Sequence, residues 1–293
     1  MQPPRLKAAP CDWQDISGFS QLNEYFAQLG GVGLGKMMAL VNVYFQQMIK
    51  ICSSCGGDVI KFAGDALIVL WTSEPLSKLA HRACECAMDL QDALHDVEMT
   101  PEIRLCLKVG VGSGSATMFY VGGHENRCEY FAAGPALKEC FSAADAAEKG
   151  DVIVSSSVLN LVRGACSHDP TPSGHHRIQQ MCQTFRKKAI PRSAPLLAPN
   201  ACAVLRSYAP SVLVHAAALE ARLRQPVRNW TVGVVQASVI FIHFGIEGVM
   251  DLLQLDCARI HQAVVTVQQR VHAMQGCIHR FTVDDKGCVM KVV

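Results

Sequence analysis

The chain has 293 residues, of which 50% are hydrophobic and 18% are charged, so it can bury a substantial core and global disorder is excluded. Its net charge of +2 and its single short basic cluster, residues 186–188 with Arg192 nearby, argue against a nucleic-acid-binding surface. The fourteen cysteines are irregularly spaced, which favours small core thiols in a reducing compartment over a disulfide framework or a zinc site.

The first residues and the apolar runs of the sequence predict a soluble, cytoplasmic protein. Residues 1–7 lack the apolar segment of a signal peptide. The best candidate for a membrane span, residues 232–246, is shorter than the roughly 20 residues that a span needs. It is also interrupted by Gln236, Ser238 and His243.

The N-terminal third predicts an irregular lead-in followed by two helices. Residues 1–11 show no regular pattern, and residues 11–14 lack the apolar run of a central strand. Apolar residues at helical spacing predict helices between residues 21 and 52, on either side of a glycine string at 30–35. The string follows a helix and not a strand, so we interpret it as a flexible connection and not as a dinucleotide-binding loop.

Residues 58–71 predict a β-hairpin with an acid at its tip. Two apolar, β-branched runs at 59–62 and 67–71 flank a tight turn at 63–66. The turn places Asp65 at the tip of the hairpin. Because aspartate is common in turns for local hydrogen bonding, the hairpin alone leaves a structural and a functional role for Asp65 equally open.

The remaining elements predict an α+β domain with a mostly antiparallel sheet that carries helices on one face. We predict helices over residues 79–94 and 135–148, and strands over residues 103–112, 115–121, 129–132 and 152–155. The proline-containing stretch 167–200 predicts a loop or linker with solvated His175 and His176, followed by a helix over 201–224.

A second β-α-β pattern follows near the end of the sequence. It comprises a strand over 232–244, a helix over 257–274 and a hairpin made of 278–283 and 288–292. Residues 57–62 and 276–281 share the form G-x-x-x-[K/R]-F after an apolar helix. We interpret this as a degenerate internal repeat.

A second acid lies just before the first predicted helix. Asp15 is followed by a small loop, Ser17, Gly18, Phe19 and Ser20. The backbone N–H groups at a helix start suit phosphate oxygens, because they lack partners and the helix dipole favours negative charge. Asp15 and Asp65, if brought together, would bind Mg²⁺, which prefers carboxylate oxygens.

In this order, the two motifs resemble the class III nucleotidyl cyclase family. D-I-S-G-F at 15–19 and G-G-D-V-I-K-F-A-G-D-A-L at 56–67 are most similar to the first catalytic domain of its soluble adenylyl cyclase branch. The resemblance continues through K-V-G-V-G-S-G at 108–114, Y-F-A-A-G at 130–134 and D-V-I-V-S at 151–155. It implies a ferredoxin-like cyclase domain over 1–166, a linker with a helix over 167–228 and a truncated second cyclase domain over 229–293.

The resemblance also implies an activity and its site. The reaction would convert ATP to cyclic AMP and pyrophosphate in intracellular signalling, by two-metal attack of the ribose 3′-oxygen on the α-phosphate. By resemblance, Asp15, Asp65 and the Ile16 carbonyl would hold two Mg²⁺ ions, with Mn²⁺ as an alternative ion. The phosphates would be bound by backbone N–H groups of the loop, Ser17, Gly18, Phe19 and Ser20.

Two further residues are candidate substrate or effector contacts. Arg280 matches a position where the second domain of the family uses a lysine on the adenine edge. Lys61 lies in the predicted hairpin near Asp65, where a partner for Asp65 or an exposed strand cation is an equally open interpretation.

Two departures from the family lead to an alternative. Phe141 stands where the soluble branch has a bicarbonate-binding arginine, so we expect no activation by bicarbonate. The transition-state asparagine and arginine of the second domain would lie beyond residue 293, so we expect slow turnover unless a cyclase-domain partner supplies a half-site. The alternative is a non-catalytic regulatory or nucleotide-binding module that pairs with an active cyclase. A GGDEF-type diguanylate cyclase is disfavoured, because no acidic pair follows the G-G-D at 56–58.

Overall fold

The computed structural model describes residues 5–72, 75–183, 201–209, 238–254, 256–284 and 287–293. These residues form two compact units: the sheet unit, within 4–117 and 132–190, and the C-terminal unit, within 118–131 and 191–293. Within the described residues, no helix combines the length and the apolar character that a membrane crossing requires. The predicted domain boundaries stay predictions.

The described elements up to residue 181 alternate between strands and helices. The strands are β1 (Arg5–Ser17), β2 (Asp58–Ala63), β3 (Ala66–Leu70), β4 (Val97–Thr100), β5 (Ile103–Gly122), β6 (Cys128–Ala133), β7 (Val152–Val154), β8 (Cys166–Pro170) and β9 (His176–Met181). The helices are α1 (Phe19–Ala27), α2 (Gly30–Ser54), α3 (Leu76–Leu94), α4 (Pro135–Asp145) and α5 (Ser156–Val162).

The strands pair in the order β2-β3-β1-β5-β7-β9-β8, and β4 and β6 also pair with β5. β5 and β7 run parallel, whereas β1 is antiparallel to both β3 and β5. The β2–β3 and β8–β9 pairs are antiparallel as well. A mostly antiparallel sheet with helices confirms the predicted α+β class.

The first strand corrects the prediction of an irregular lead-in. β1 begins at Arg5 and lies between β3 and β5, with both edges paired. Asp12 and Gln14 are fully buried and share the face of Ile16, which is only 2% exposed. The sequence of β1 lacks the apolar alternation of a central strand because polar side chains occupy core-facing positions. Hydrogen bonding to β3 on one side and β5 on the other still makes this segment a strand.

Helices cover both faces of the sheet, which corrects the prediction of one covered face. One core joins the apolar faces of α1, α2, α3 and α5 to the odd-numbered side chains of β5, such as Val109 and Val111. α4 packs on the opposite face, against a stripe of glycines. A Cβ atom on Gly110 would lie 2.3 Å from the Ala144 backbone nitrogen of α4. A Cβ atom on Gly112 would lie 2.2 Å from the Cys140 backbone nitrogen of the same helix.

The same glycine stripe explains why β5 does not end at residue 112. The glycines do not break the strand; they remove side chains where the α4 backbone approaches, and the strand continues to Gly122. The separate strand predicted over 115–121 is therefore the second half of β5. Its partner is β6, as predicted for residues 129–132.

Two other loop predictions were wrong. The glycine string at 30–35 lies inside α2, which begins at Gly30. Only glycine fits at residue 33, because a Cβ atom there would lie 2.2 Å from the Phe26 carbonyl oxygen.

Residues 166–181 form the β8–β9 hairpin instead of a loop. In β9 only Ile178 is buried, so the sequence of this strand lacks the alternation of apolar and polar residues that would predict it. His176 lies in β9 and His175 immediately precedes it.

The C-terminal unit contains a small antiparallel sheet and a helix. Besides the ends of β5 and β6 with the turn between them and a 3₁₀ helix (Asp251–Leu253), its described elements are α6 (Ala201–Ser207), β10 (Ile240–His243), α7 (Cys257–Ala273), β11 (Ile278–Asp284) and β12 (Gly287–Val292). The strand order is β10-β12-β11. The predicted helix at 257–274 and the predicted hairpin after it are confirmed. Residues 210–237, which include most of the predicted helix 201–224 and the start of the strand predicted at 232, lie outside the described residues.

Candidate functional site

Asp15 lies near the end of β1, on the face of the sheet that α4 covers. Its cross-strand partner in β5 is Lys108, and the Lys108 ammonium lies 3.2 Å from the Asp15 carboxylate. The Asp15 side chain is 32% exposed and that of Lys108 is 24% exposed. A partly solvated pair of this kind contributes little to stability, so the carboxylate can exchange partners at small cost.

Asp15 and Lys108 line an open cleft of about 470 Å³. The other polar side chains of the cleft are Ser17 from the end of β1 and Glu148 and Lys149 from the segment after α4. The cleft therefore combines two carboxylates with two ammonium groups. Such a mixed lining can bind both a cation and the anionic groups of one ligand.

The loop after Asp15 turns directly into α1. Gly18 has a left-handed backbone (φ 98°), and a Cβ atom there would lie 2.6 Å from the Arg104 carbonyl oxygen. A side chain at residue 18 is therefore excluded on two grounds. α1 starts at Phe19 and has no side-chain cap on its first turn. Its first N–H groups are available as donors to an anion.

The hairpin tip lies at the same end of β1. Ala63 pairs with Ala66, so Gly64 and Asp65 form a two-residue turn, with Gly64 in a left-handed conformation (φ 70°). β1 and β3 pair with Gln14 opposite Leu67. If this antiparallel register is extended by two residues, Asp65 lies opposite Ile16, which is the residue after Asp15. Neighbouring strands lie roughly 5 Å apart, so the backbones of the two predicted acids belong to one edge of the sheet.

The other predicted residues occupy different environments. Ile16 has a buried side chain, which leaves only its backbone carbonyl for a ligand. Lys61 lies in β2 opposite Ile68. Phe141 is 5% exposed and packs edge-on against Trp13, with ring centroids 4.7 Å apart. Arg280 lies in β11 opposite Lys291, in the C-terminal unit, and its role stays a prediction.

The donor set at the end of β1 fits a hard divalent cation. Asp15 presents a partly exposed carboxylate to the cleft, and Asp65 belongs to the neighbouring turn. Carboxylate and carbonyl oxygens are the ligands that Mg²⁺ takes, usually one or two of them together with substrate phosphate. Asp15, Asp65 and the Ile16 carbonyl would supply such a set.

Comparison with known proteins decides the family. The model of the adenylate and guanylate cyclase catalytic domain matches residues 10–185. The chain belongs to this family. Adenylate cyclase type 10 from Rattus norvegicus is 30% identical over 151 residues, which cover 50% of this chain and 9% of that protein. Adenylate cyclase 1 from Rhizobium meliloti is 27% identical over 128 residues, which cover 41% of this chain and 18% of that protein. The chain thus spans a small part of the length of these relatives.

Solved structures give the same fold for this cyclase domain. The guanylate cyclase domain of RhGC from Catenaria anguillulae, in complex with GTP, superimposes with a TM-score of 0.53 at 15% identity, over 61% of this chain and 99% of that domain. The adenylyl cyclase CyaB from P. aeruginosa gives a TM-score of 0.51 at 21% identity, over 64% of this chain and 99% of CyaB. At these identities the likeness concerns the fold alone.

Sequence reasoning missed three charged residues of the cyclase domain's cleft: Lys108, Glu148 and Lys149. Lys108 begins the K-V-G-V-G-S-G motif, and its even-numbered position shares the face of Gly110 and Gly112. That alternation could have placed it on the α4 side of β5. Its pairing with Asp15 depends on the β1–β5 register, which local sequence does not encode.

Proposed function

We propose that this chain is an adenylate cyclase domain that converts ATP to cyclic AMP and pyrophosphate. The observation that carries the proposal is the edge of the sheet where the partly exposed Asp15 carboxylate, the Asp65 turn and the uncapped start of α1 follow one another. The adenylate cyclases among the relatives support ATP as the substrate. GTP is the competing substrate within the family.

Asp15 and Asp65 would bind divalent cations, Mg²⁺ or Mn²⁺, with the Ile16 carbonyl as a further ligand. When bound, these ions would neutralise phosphate charge and polarise the ribose 3′-hydroxyl for attack on the α-phosphorus. The N–H groups at the start of α1 would bind phosphate oxygens, with Ser17, Gly18, Phe19 and Ser20 forming the loop. Gly18 allows the close turn that aims them.

The lysines of the cleft would assist substrate binding. Lys108 would hold the Asp15 carboxylate in place through their 3.2 Å ion pair before the substrate arrives. Lys149 lines the same cleft and adds a second positive charge. Both charges favour a polyphosphate over a neutral ligand. Lys61 and Arg280 remain candidates for contacts with the substrate.

The test is a cyclic nucleotide assay on matched variants. Wild-type protein with Mg²⁺ or Mn²⁺ is given ATP or GTP, and cyclic AMP and cyclic GMP are quantified, with and without an added cyclase-domain partner. We expect cyclic AMP to dominate, and Asp15→Asn or Asp65→Asn to reduce its rate by at least about a hundredfold, as for loss of a group that stabilises the transition state. Asp92→Asn, on the exposed face of α3, is the matched control and should keep the wild-type rate.

Two results of this assay would overturn the proposal. One is cyclic AMP formation that survives both aspartate substitutions. The other is a protein that makes only cyclic GMP, which would reassign the substrate.

A second candidate is a non-catalytic module that pairs with an active cyclase. The observation that favours it is the Lys108–Asp15 ion pair, because an ammonium group already balances the carboxylate charge that would attract a metal ion. Nucleotide binding separates the two candidates. A module that does not use metal would bind ATP equally with Mg²⁺ and with EDTA, whereas the cyclase requires the ion.

A further inference from the structure

Three potential metal ligands converge in the C-terminal unit. His124 and Glu125 belong to the short 3₁₀ turn between β5 and β6, and His272 lies in the last turn of α7. One ligand atom from each of the three side chains lies within 4.8 Å of the other two. The Glu125 carboxylate and the His272 Nε2 atom are 3.9 Å apart.

A buried amide holds the turn against α7. The Gln268 side chain is only 3% exposed, and it accepts a hydrogen bond from the His124 backbone N–H at 3.2 Å. It also donates to the Arg127 carbonyl at 2.7 Å. Gln268 precedes His272 by one helical turn, so both side chains project from the same face of α7. The contact therefore fixes the spacing between the two halves of the cluster.

The turn between β5 and β6 contains left-handed backbone conformations, one of which is unfavourable for the residue that adopts it. Gly122 and Gly123 adopt left-handed conformations (φ 92° and 119°), which suit glycine. Glu125 also adopts one (φ 49°), which is unfavourable for a non-glycine residue. In this conformation the Glu125 carboxylate lies 3.9 Å from the His272 Nε2 atom.

We infer that His124, Glu125 and His272 form a binding site for Zn²⁺ or a similar transition-metal ion. Two imidazoles and one carboxylate are a ligand set that zinc accepts, and a tetrahedral site needs ligand atoms roughly 3.3 Å apart. The ligand atoms lie within 4.8 Å of one another, and the Glu125 and His272 side chains are free to rotate into a closer arrangement because they are more than 60% exposed. A fourth position would remain for water or an external ligand.

The site differs from the nucleotide site in the ion that it selects. Imidazole nitrogen favours zinc, nickel and cobalt over Mg²⁺, which takes oxygen ligands. The three residues line a cleft of about 1040 Å³ within the C-terminal unit, so an ion can enter from solvent. Bound zinc would cross-link the β5–β6 turn to α7. The competing interpretation is a simple ion pair between Glu125 and His272, which would not bind transition-metal ions in preference to Mg²⁺.

The experiment is a Zn²⁺ titration of the full chain, with a competing chelator and with its thiols kept reduced. We expect one site that His272→Ala and Glu125→Gln each weaken at least about tenfold. His261→Ala is the matched control, since His261 is exposed on the same helix but does not line the cleft. With Co²⁺ as the probe, wild-type protein should give the visible bands of nitrogen and oxygen ligation, without thiolate charge transfer.

Each outcome decides the proposal. Loss of the site in His272→Ala and Glu125→Gln, with His261→Ala unchanged, supports it. Equal affinity in wild type and Glu125→Gln, a loss in His261→Ala as large as in His272→Ala, or thiolate bands with Co²⁺ would each overturn it. Glu125→Gln is a surface substitution in a turn, so it keeps the test valid if His272→Ala fails to fold.

Discussion

Asp12 is the most unusual single residue of the sheet unit. It is fully buried in the middle of β1, and neither of its carboxyl oxygens has a hydrogen-bond partner among the described residues. Burial raises the pKa of Asp12 well above its ordinary value, and the nearby thiols of Cys52, Cys11 and Cys55 add to the shift. The folded protein therefore favours the neutral carboxyl, because no cation among the described residues offsets the desolvation of the anion.

This burial makes the free energy of unfolding depend on pH. In the unfolded chain the carboxyl titrates near pH 4. Because the folded state binds the proton more tightly, the stabilising contribution is complete below about pH 4 and is lost as pH rises through the raised folded pKa. Asp12→Asn cannot ionise, so its stability relative to wild type should increase with pH above about 4, by up to about 1.4 kcal/mol per pH unit.

Urea unfolding of wild type and Asp12→Asn between about pH 5 and pH 8 measures this difference. The slope with pH is the decisive quantity, since the constant cost of burying an amide cancels in it. Asp92→Asn, on the exposed face of α3, is the control for the removal of one carboxylate. A stability difference between Asp12→Asn and wild type that stays constant across the range would contradict the neutral, buried carboxyl.

At the scale of elements, β5 and the backbone of α4 are in very close contact. Gly110 and Gly112 alternate with the core residues Val109 and Val111, so this part of the strand has apolar side chains on one face and none on the other. A Cβ atom on Gly112 would lie 2.2 Å from the Cys140 nitrogen and 2.6 Å from the Ala136 carbonyl oxygen. Both atoms belong to the α4 backbone, which cannot move aside as a flexible side chain could.

Gly112→Ala should therefore destabilise the protein by about 1–3 kcal/mol or more, as overpacking of a tight interior does. Gly35→Ala in α2 is the matched control. A Cβ atom there meets nothing within 4 Å, and alanine should stabilise the helix by roughly 0.5–1 kcal/mol. Urea midpoints of the two variants check the prediction. Equal midpoints for Gly112→Ala and Gly35→Ala would mean that α4 does not lie on the glycine stripe.

Elements whose local pattern agrees with their burial could be predicted from sequence. All five residues of β3 are buried, so the β2–β3 hairpin and its acidic turn were evident. β1 could not be recognised, because Asp12 and Gln14 occupy core positions that an apolar pattern would fill. The contact between Asp15 and Lys108 arises from strand pairing between distant segments, so the acid was predictable and its partner was not.

At the scale of the whole molecule, most of the cysteines with described side chains are buried in the core. The thirteen cysteines whose side chains the structure describes are free thiols. Eight of them are buried: Cys11, Cys52, Cys55, Cys84, Cys86, Cys140, Cys166 and Cys288. Burial raises the pKa of the Cys84 thiol well above its ordinary value, so it stays protonated and unreactive. The sequence-based interpretation of cysteine as a small core residue fits these positions.

Thiol reactivity should therefore report folding. With a small alkylating reagent under native, reducing conditions, Cys182 should be labelled first among these thirteen cysteines, because it is exposed. The four half-buried cysteines should follow more slowly, and the eight buried ones should react only as fast as the protein opens, since alkylation requires an accessible thiolate. Peptide mass spectrometry before and after denaturation measures each site. Rapid native labelling of Cys84, or a Cys52–Cys55 disulfide in non-reduced protein, would show that these thiols do not belong to a closed core.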